Sequence, residues 1–370
     1  MKKIKVLYDF QTMFLQKYGG ISRYFFELFT SFKEEHSEQI DIKLSLFYSC
    51  NYYFSVYKKC HKSGPTTVAS YLNNINTLIN IYFNYFKGTP YDIIHPTYYY
   101  PNYLKYVPAF IKKKSKIVLT VYDLIIEMFY PEIEDLKKRG ELITTADSII
   151  VISEQTKKDL LKIYSSIPEE RIKVIYLGNF MKKPIEDCKI QFPSNYILMV
   201  GNRAKYKNGE IVFEAFKKIK DRFKEIWLVC AGGGEFSNEE HNNLRKLGIE
   251  DYVIQMSLTD DMLYYAYKNA KCFVFPSLYE GFGLPILEAF FCECPVILSD
   301  ASCFPEIAND SALLFSPENV DELAQKITIL LTDDNIAKEL VEKGKNRLKF
   351  FDVEKMISET LKVYQDICAK

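Results

Sequence analysis

Short apolar runs alternate with amphipathic stretches along most of the 370 residues, and this alternation limits the folds open to the chain. The apolar runs have the length of buried strands, and the stretches between them have helical periodicity. Helical patterns lie, for example, at 21–34, 154–164, 209–223 and 260–270. Strand-like runs lie at 4–10, 40–47, 93–95, 117–121, 149–152 and 174–176, and again at 196–200, 226–231, 252–255, 272–275 and 296–298. Because strands that alternate with helices form parallel sheets, the sequence predicts an α/β protein with two doubly wound sheets.

The length of the chain also favours two domains over one. A polar stretch at 178–193 separates the two series of strands, so we expect domains at 1–177 and 178–351. Open α/β sheets bind ligands at the carboxyl ends of their strands. We therefore expect the two sheets to face each other across a cleft.

The segment from Pro276 to Glu288 combines glycines, a helix start and two carboxylates. It follows the apolar run 271–275 and leads into a predicted helix at 284–291, with Pro285 in the first turn. A helix N-terminus offers amide groups and a positive dipole end to an anion. Glu280 and Glu288 suit hydroxyl groups on either side of that anion, as in a diphosphate that joins a sugar to a ribose. The candidate donor-binding backbone between them is Gly281, Phe282, Gly283 and Leu284.

The spacing of Glu280 and Glu288 resembles the Glu-x7-Glu motif of the retaining glycosyltransferases of family 4, which have the GT-B fold of two Rossmann-like domains facing a cleft. Further segments that resemble this family span nearly the whole chain, at 17–24, 120–124, 130–132, 151–157, 200–208, 305–308 and 312–315. The resemblance is to the bacterial O-antigen mannosyltransferase-like branch. It implies that the helix at 352–370 packs back onto the first domain.

This resemblance implies a metal-independent hexosyltransferase that retains anomeric configuration. The donor would be a nucleotide-diphosphate-sugar, with a weak preference for GDP-mannose, and it is a co-substrate, so no cofactor is expected. The acceptor would be a glycan, lipid-linked, in surface polysaccharide synthesis, and no nucleic acid partner is expected. Two alternatives stay open: a GT-B epimerase or phosphorylase acting on similar ligands, and a silent binding subunit of a glycosyltransferase complex.

Two basic residues follow the first strand of the second series. Arg203 and Lys207 are predicted catalytic residues that neutralise the diphosphate as it departs. The alternative is a solvated basic turn, since Lys205 is equally charged. Glu280, which would hold the sugar hydroxyls, is predicted to be catalytic as well. In the first domain, the resemblance implies that Gly19 and Gly20 approach the donor phosphate, although an ordinary tight turn has the same sequence.

Three side chains end strands at the expected ligand edge of the first domain. Tyr122 stands where the family usually has a histidine, and a tyrosine does not carry a proton near neutral pH. Asp123 is predicted to accept a hydroxyl or to act as the base on the acceptor. His95 and Tyr122 are candidate contacts to the acceptor or sugar, and a structural role for His95 is the alternative.

Charge is unevenly distributed along the neutral chain. Residues 1–190 carry 27 Lys and Arg against 20 Asp and Glu, a balance of +7, so the remainder carries −7. The basic half, with its cluster at Lys112–Lys116, predicts attraction to an anionic membrane surface. A solvated helix end explains that cluster equally well, and the amphipathic stretch at 66–87 fits core packing or a lipid contact.

The remaining patterns concern the cellular location and the metal requirement. No apolar run reaches the length of a membrane span, and the first residues predict a strand rather than a signal peptide. The nine cysteines have no zinc spacing and predict buried thiols in a reducing cytosol. We therefore expect a cytoplasmic protein, peripheral on the inner face of the membrane. No Asp-x-Asp motif lies at a strand end, so no metal is predicted.

Overall fold

The computed structural model describes residues 3–9, 11–44, 51–57, 91–99, 114–132, 136–185, 190–203 and 205–369. These residues divide into two compact units. The first comprises Met1–Leu177 together with Glu354–Lys370, and the second comprises Gly178–Val353. The predicted amphipathic stretch at 66–87 and Lys112 and Lys113 of the basic cluster lie outside the described residues.

The first unit is built on a parallel sheet of six strands in the order β2-β1-β3-β4-β5-β6. Its elements are β1 (Ile4–Tyr8), α1 (Gln11–Leu15), α2 (Gly20–Glu34), β2 (Ile40–Leu44), α3 (Tyr52–Tyr57), β3 (Ile93–His95), β4 (Lys116–Val121), α4 (Ile125–Phe129), α5 (Leu136–Thr145), β5 (Ser148–Val151), α6 (Glu154–Ile163) and β6 (Ile172–Val174). A helix from the end of the chain, Val353–Ala369, belongs almost wholly to this unit.

The second unit has a parallel sheet of six strands in the order β12-β11-β10-β7-β8-β9. Its elements are β7 (Tyr196–Val200), α7 (Gly209–Lys220), β8 (Trp227–Ala231), α8 (Asn238–Leu247), β9 (Val253–Met256), α9 (Asp260–Asn269), β10 (Cys272–Phe275), α10 (Leu284–Phe291), β11 (Val296–Ser299), α11 (Phe304–Ala308), β12 (Leu313–Phe315), α12 (Val320–Thr332) and α13 (Asp334–Leu348). The helix Val353–Ala369 that follows is α14. The prediction of two doubly wound parallel sheets is confirmed.

Local chemistry accounts for these elements. The central strands are buried along their whole length, as the continuous apolar runs predict for parallel sheets. In α2, Phe25, Leu28 and Phe32 recur at helical spacing and are all buried. Helix α8 begins with a capping box between Ser237 and Glu240, in which each side chain bonds the other's backbone amide.

Helix α14 completes the core of the first unit. Tyr364 is fully buried, and its hydroxyl lies 2.9 Å from the hydroxyl of Tyr8 and 2.6 Å from Nδ1 of His95. Its ring also packs against Phe32, with the centroids 5.8 Å apart. The last helix therefore supplies polar and apolar contacts to β1, α2 and β3.

β6 and β12 are two of the strands that differ from the sequence prediction. β6 lies at Ile172–Val174, two residues before the predicted run at 174–176, because a short 3-10 helix at Glu169–Arg171 leads directly into it. The amide of Ile175 still donates to the carbonyl of Val151 at 2.9 Å, so the ladder continues past the strand end. β12 was not predicted as a strand, because three residues are too short for a periodicity argument.

Candidate active site

The loop between β10 and α10, residues 276–283, turns sharply into the start of the helix. Gly283 has a φ of +94°, a left-handed conformation that favours glycine. A Cβ at this position would lie 3.0 Å from the side chain of Ile286 and 3.1 Å from that of Phe304. Pro285 occupies the first turn, where its missing N–H costs nothing. The amides and dipole of this helix start favour an anion.

Two residues after β11 fix the backbone of Glu280. The hydroxyl of Ser302 donates to the carbonyl of Glu280 at 2.6 Å and accepts from its amide at 3.2 Å. The thiol of Cys303 donates to the carbonyls of Glu280 and Phe282, both at 3.2 Å. Ser302 has a φ of +54°, unusual for a residue other than glycine. Sequence patterns did not reveal this role, because neither residue belongs to a recognisable motif.

Lys207 and Glu280 form an ion pair across 73 positions of the chain. Lys207 Nζ lies 2.5 Å from Glu280 Oε1, and the two side chains are 17% and 12% exposed. Lys207 ends the short 3-10 helix Lys205–Lys207. The amide of Leu278 donates to the carbonyl of Tyr206 at 2.8 Å, which joins the two loops. The structure thus brings together two residues that the sequence assigned separately to the diphosphate and to the sugar.

Arg203 has different partners. Its Nε donates to Oε1 of Glu240 at 2.5 Å, and its Nη1 donates to the carbonyl of Gly232 at 3.0 Å. Its Nη2 donates to the carbonyl of Gly234 at 3.1 Å. The guanidinium also lies 4.7 Å from the ring centroid of Phe236, and the side chain is 5% exposed. In this structure Arg203, which the sequence assigned to the diphosphate, is bound to the loop after β8.

Glu288 is the fifth residue of α10, about 6 Å along the helix axis from its first residue. Its Oε2 accepts a hydrogen bond from the hydroxyl of Tyr267 at 3.1 Å. Burial, with the nearby Glu288 charge, raises the pKa of Tyr267 well above its ordinary value, so this phenol is a donor at any physiological pH. Glu288 is therefore held in one orientation by a buried donor.

In the first unit, Gly19 caps the N-terminus of α2 and Gly20 is its first residue. The carbonyl of Gly19 accepts from the hydroxyl of Ser22 at 2.9 Å. A Cβ at Gly19 would collide with the side-chain amide of Gln16, whose Oε1 accepts from the Ser22 amide at 3.3 Å. The glycine thus leaves room for the side chain that orders the start of the helix.

Tyr122 and Asp123 directly follow β4, and their environments differ. Tyr122 is buried, its hydroxyl lies 3.5 Å from the carbonyl of Thr97, and its ring stacks on Tyr99. Burial raises the pKa of Tyr122 well above its ordinary value. Asp123 is half-buried, and its Oδ1 accepts from the amide of Ile125 at 3.1 Å. Of the two, only Asp123 combines a titratable oxygen with solvent access.

His95 is fully buried, and both ring nitrogens have protein partners. Nδ1 lies 2.6 Å from the hydroxyl of Tyr364, and Nε2 lies 2.9 Å from Oγ1 of Thr120. Burial lowers the pKa of His95 to about 3, so the ring is neutral at physiological pH. This arrangement matches the structural alternative for His95 and leaves neither nitrogen for a substrate in this conformation.

A second buried group, Asp9, was missed by sequence reasoning. Its Oδ1 accepts from the amides of Gln11 at 3.1 Å and Thr97 at 3.0 Å and from the hydroxyl of Thr97 at 2.5 Å, and its Oδ2 accepts from the side chain of Gln11 at 2.6 Å. These bonds join the ends of β1 and β3. Burial raises the pKa of Asp9, although the hydrogen bonds oppose this effect.

Among the described residues, one group of potential metal ligands has its donor atoms within 4.8 Å of one another: Glu35, His36 and Glu354. All three are partly or fully exposed. They lie at the end of α2 and the start of α14, not at the strand ends that carry the candidate site residues. Among the residues that the structure describes, no helix is long and apolar enough to span a membrane.

Comparison with known proteins gives two family matches, one for each half of the chain. Residues 18–178 match the model described as Glycosyltransferase Family 4, and residues 182–347 match Glycosyl transferases group 1. The chain is 26% identical to O-antigen chain mannosyltransferase B of Escherichia coli over 286 residues, which cover 72% of this chain and 75% of that protein.

A second relative is N-acetylgalactosamine-N,N'-diacetylbacillosaminyl-diphospho-undecaprenol 4-alpha-N-acetylgalactosaminyltransferase of Campylobacter jejuni. It is 28% identical over 264 residues, which cover 69% of this chain and 66% of that protein. Among solved structures, sucrose-phosphate synthase of Thermosynechococcus elongatus has a TM-score of 0.73 at 17% identity and covers all of both chains. HepE of Anabaena, in complex with UDP and glucose, has a TM-score of 0.73 at 17% identity, over 97% of this chain and 98% of that one. At such identities the structures show a shared fold.

Proposed function

Since the chain belongs to the family 4 glycosyltransferases of the GT-B fold, we propose that it moves a hexosyl group from a nucleotide-diphosphate-sugar to a glycan hydroxyl with retention of configuration. The observation that carries this proposal is the Lys207–Glu280 pair next to the start of α10. An ammonium group and helix amides suit a diphosphate, whereas a carboxylate suits the hydroxyls of the attached sugar.

Donor binding exchanges the partners of this pair. In the structure, the charges of Lys207 and Glu280 satisfy each other at 2.5 Å. When the donor binds, Lys207 turns to the diphosphate and Glu280 accepts hydrogen bonds from the sugar. Ser302 and Cys303 keep the Glu280 backbone in place during this exchange. Glu288, oriented by Tyr267, accepts hydrogen bonds from the ribose.

We propose attack from the face that the nucleotide leaves. The bond from the anomeric carbon to the phosphate oxygen breaks, a bond to the acceptor oxygen forms, and the acceptor proton passes to the departing phosphate. Lys207 and the α10 amides stabilise the negative charge that grows on this phosphate. Asp123, half-buried at the end of β4, is assigned to an acceptor hydroxyl. The loop of Gly19 and Gly20 is assigned to the donor.

The relatives suggest the substrates. One relative is named for mannosyl transfer and another for a diphospho-undecaprenol acceptor, so we propose GDP-mannose as the first donor to test and a lipid-linked glycan in surface polysaccharide synthesis as the acceptor. The solved structure with UDP and glucose makes UDP-glucose the natural second donor.

A thermal-shift panel of nucleotides and nucleotide-sugars, followed by transfer assays, tests the proposal. A ligand at a hundred times its Kd stabilises the folded state by about 2.7 kcal/mol if it binds only that state. We expect one nucleoside diphosphate and its sugar conjugate to raise Tm, and the conjugate to be consumed faster with acceptor present. A panel in which no nucleotide raises Tm would refute the proposal, whereas consumption unaffected by any acceptor would favour an epimerase.

Metal independence is part of the proposal, because Lys207 and the helix amides already supply positive charge to the diphosphate. Transfer activity should persist after EDTA treatment and dialysis. Loss of activity on chelation, restored by Mg²⁺ or Mn²⁺, would contradict it.

We also propose a cytoplasmic location with peripheral binding to the inner face of the membrane. The support is the +7 balance of residues 1–190. Binding to anionic vesicles should fade as salt rises, because screening shortens the reach of surface charges. Failure to sediment with such vesicles at low ionic strength would count against this location.

A further inference from the structure

The guanidinium of Arg203 joins three segments of the second unit. Arg203 follows β7, and it binds the carbonyls of Gly232 and Gly234 in the loop after β8. It also pairs with Glu240 in the first turn of α8. The carboxylate of Glu240 in turn accepts from the amide of Ser237 at 2.7 Å. Arg203 and Glu240 thus form a clamp between the ends of two neighbouring strands and the start of a helix.

The clamped loop contains three glycines in left-handed conformations. Gly232, Gly233 and Gly234 are consecutive, and their φ angles are +85°, +72° and +75°. Glycine loses more conformational freedom on folding than any other residue, so this loop needs external contacts to keep one shape. A Cβ on Gly233 would lie 2.7 Å from Nη1 of Arg203 and 2.9 Å from the carbonyl of Gly201, so the guanidinium packs directly against the loop.

The same contacts argue against direct binding of Arg203 to the diphosphate. Each guanidinium nitrogen already donates to a protein oxygen, and the side chain is 5% exposed. Removing Arg203 from these partners would take a charged donor from Glu240 and from the loop carbonyls. Lys207, in contrast, has one carboxylate partner that donor binding can replace.

We propose that Arg203 is a positioning residue, which acts through the triple-glycine loop to hold the carboxyl edge of β7 and β8 in its ligand-binding shape. This inference rests on the proposed function for the ligand concerned. The clamp forms one wall of a cavity of about 700 Å³ that Asn208, Phe213 and Gly233 also line. A fixed loop keeps this edge preorganised, which lowers the cost of binding.

Glu240 makes the proposal testable, because a carboxylate has no favourable contact with a diphosphate. If Arg203 were a diphosphate ligand, Glu240→Gln would remove the negative charge that competes for it and leave nucleotide affinity unchanged or tighter. If Arg203 is a clamp, Glu240→Gln and Arg203→Met should both weaken binding of GDP or UDP, each by roughly tenfold. The double variant should then bind the nucleotide only slightly more weakly than the single variant with the lower affinity, because both changes break one network.

The readouts are calorimetry with GDP and UDP, steady-state kinetics, and hydrogen exchange. We expect both variants to raise the donor KM more than they lower kcat, and to speed exchange at the Gly232 amide, which donates to Met256 in the intact protein. Gly233→Ala should do the same, since its Cβ would displace the guanidinium. The matched control removes the ion pair between Arg245 of α8 and Glu250 by Arg245→Met, and should change none of these.

Unchanged or tighter nucleotide binding in Glu240→Gln, with weaker binding in Arg203→Met, would overturn the clamp and make Arg203 a direct ligand. Unchanged exchange in all three variants would overturn it as well. If neither GDP nor UDP bound the unmodified protein, the proposed function would be in question, but hydrogen exchange would still decide whether the clamp exists.

Discussion

Substitutions of Glu280 and Glu288 should distinguish binding of the donor's sugar from binding of its ribose. Glu280 precedes α10 and Glu288 lies one turn inside it, so we assign Glu280 to the sugar and Glu288 to the ribose. A free nucleoside diphosphate carries the ribose and lacks the sugar. Glu288→Gln should therefore weaken binding of both the free nucleotide and the donor, whereas Glu280→Gln should impair transfer and spare nucleotide binding.

The expected magnitudes follow from the contacts. A lost hydrogen bond to a charged group costs roughly 1.5–3 kcal/mol, or about 10- to 150-fold. For Glu288→Gln this loss should appear in the nucleotide Kd, because the ribose loses its charged acceptor. The glutamine oxygen can still accept from Tyr267, so the side chain keeps its place. For Glu280→Gln it appears in kcat/KM alone. Nucleotide binding should not weaken there, because Lys207 loses the carboxylate that occupies it at 2.5 Å.

Calorimetry with the nucleoside diphosphate, beside transfer kinetics, decides the assignment. Glu293→Gln is the matched control, since it removes an exposed ion pair with Lys268 near the other end of the same helix. That variant should behave like the unmodified protein in both assays. Equal losses of nucleotide affinity in Glu280→Gln and Glu288→Gln would show that the two ends of the donor are wrongly assigned.

Three further predictions concern other residues. Lys207→Ala should lower turnover by about 2.7–4 kcal/mol of transition-state stabilisation, or 100- to 1,000-fold, by analogy with oxyanion donors, while Lys205→Ala should not; near-normal kcat in Lys207→Ala would exclude the leaving-group role. Ser302→Ala should lower turnover with little change in Tm, because it frees the Glu280 backbone; equal activity would show that Cys303 suffices. His95 has a folded pKa of about 3, below its unfolded value of about 6.5, so its contribution to stability is present above pH 6.5 and falls by up to 1.4 kcal/mol per pH unit toward pH 3. Denaturant titrations across this range should show a shallower pH dependence in His95→Gln, and identical slopes would contradict the neutral, buried assignment.

The sequence predicts this fold well where local chemistry and packing agree. Helix α10 lies at the predicted residues, since Gly283 and Pro285 mark its start without help from distant contacts. Most of the strands lie within one or two residues of the predicted runs, because strands buried on both faces leave continuous apolar stretches. β12 carries too few residues for such a signal and owes its place to pairing with β11.

The candidate site was harder to predict, because its contacts join distant parts of the chain. The sequence marks Lys207 and Glu280 as charged residues at strand ends, and only the folded backbone brings them to 2.5 Å. Arg203 has equal charge in the sequence, yet its direction depends on Glu240 and the carbonyls after β8. Ser302 adopts a positive φ and hydrogen-bonds to the backbone of Glu280, and no spacing of residues in the sequence indicates this contact.

The path of the chain has a consequence for the order in which the protein is made. The second unit is one continuous stretch, so it can fold as soon as Val353 has left the ribosome. The first unit begins earlier but waits for α14, whose Tyr364 bonds Tyr8 and His95. Until then, a buried histidine nitrogen and a tyrosine hydroxyl lack this partner, and part of the apolar face of α2 is uncovered. During synthesis, therefore, the half that is made first is the half whose core is completed last.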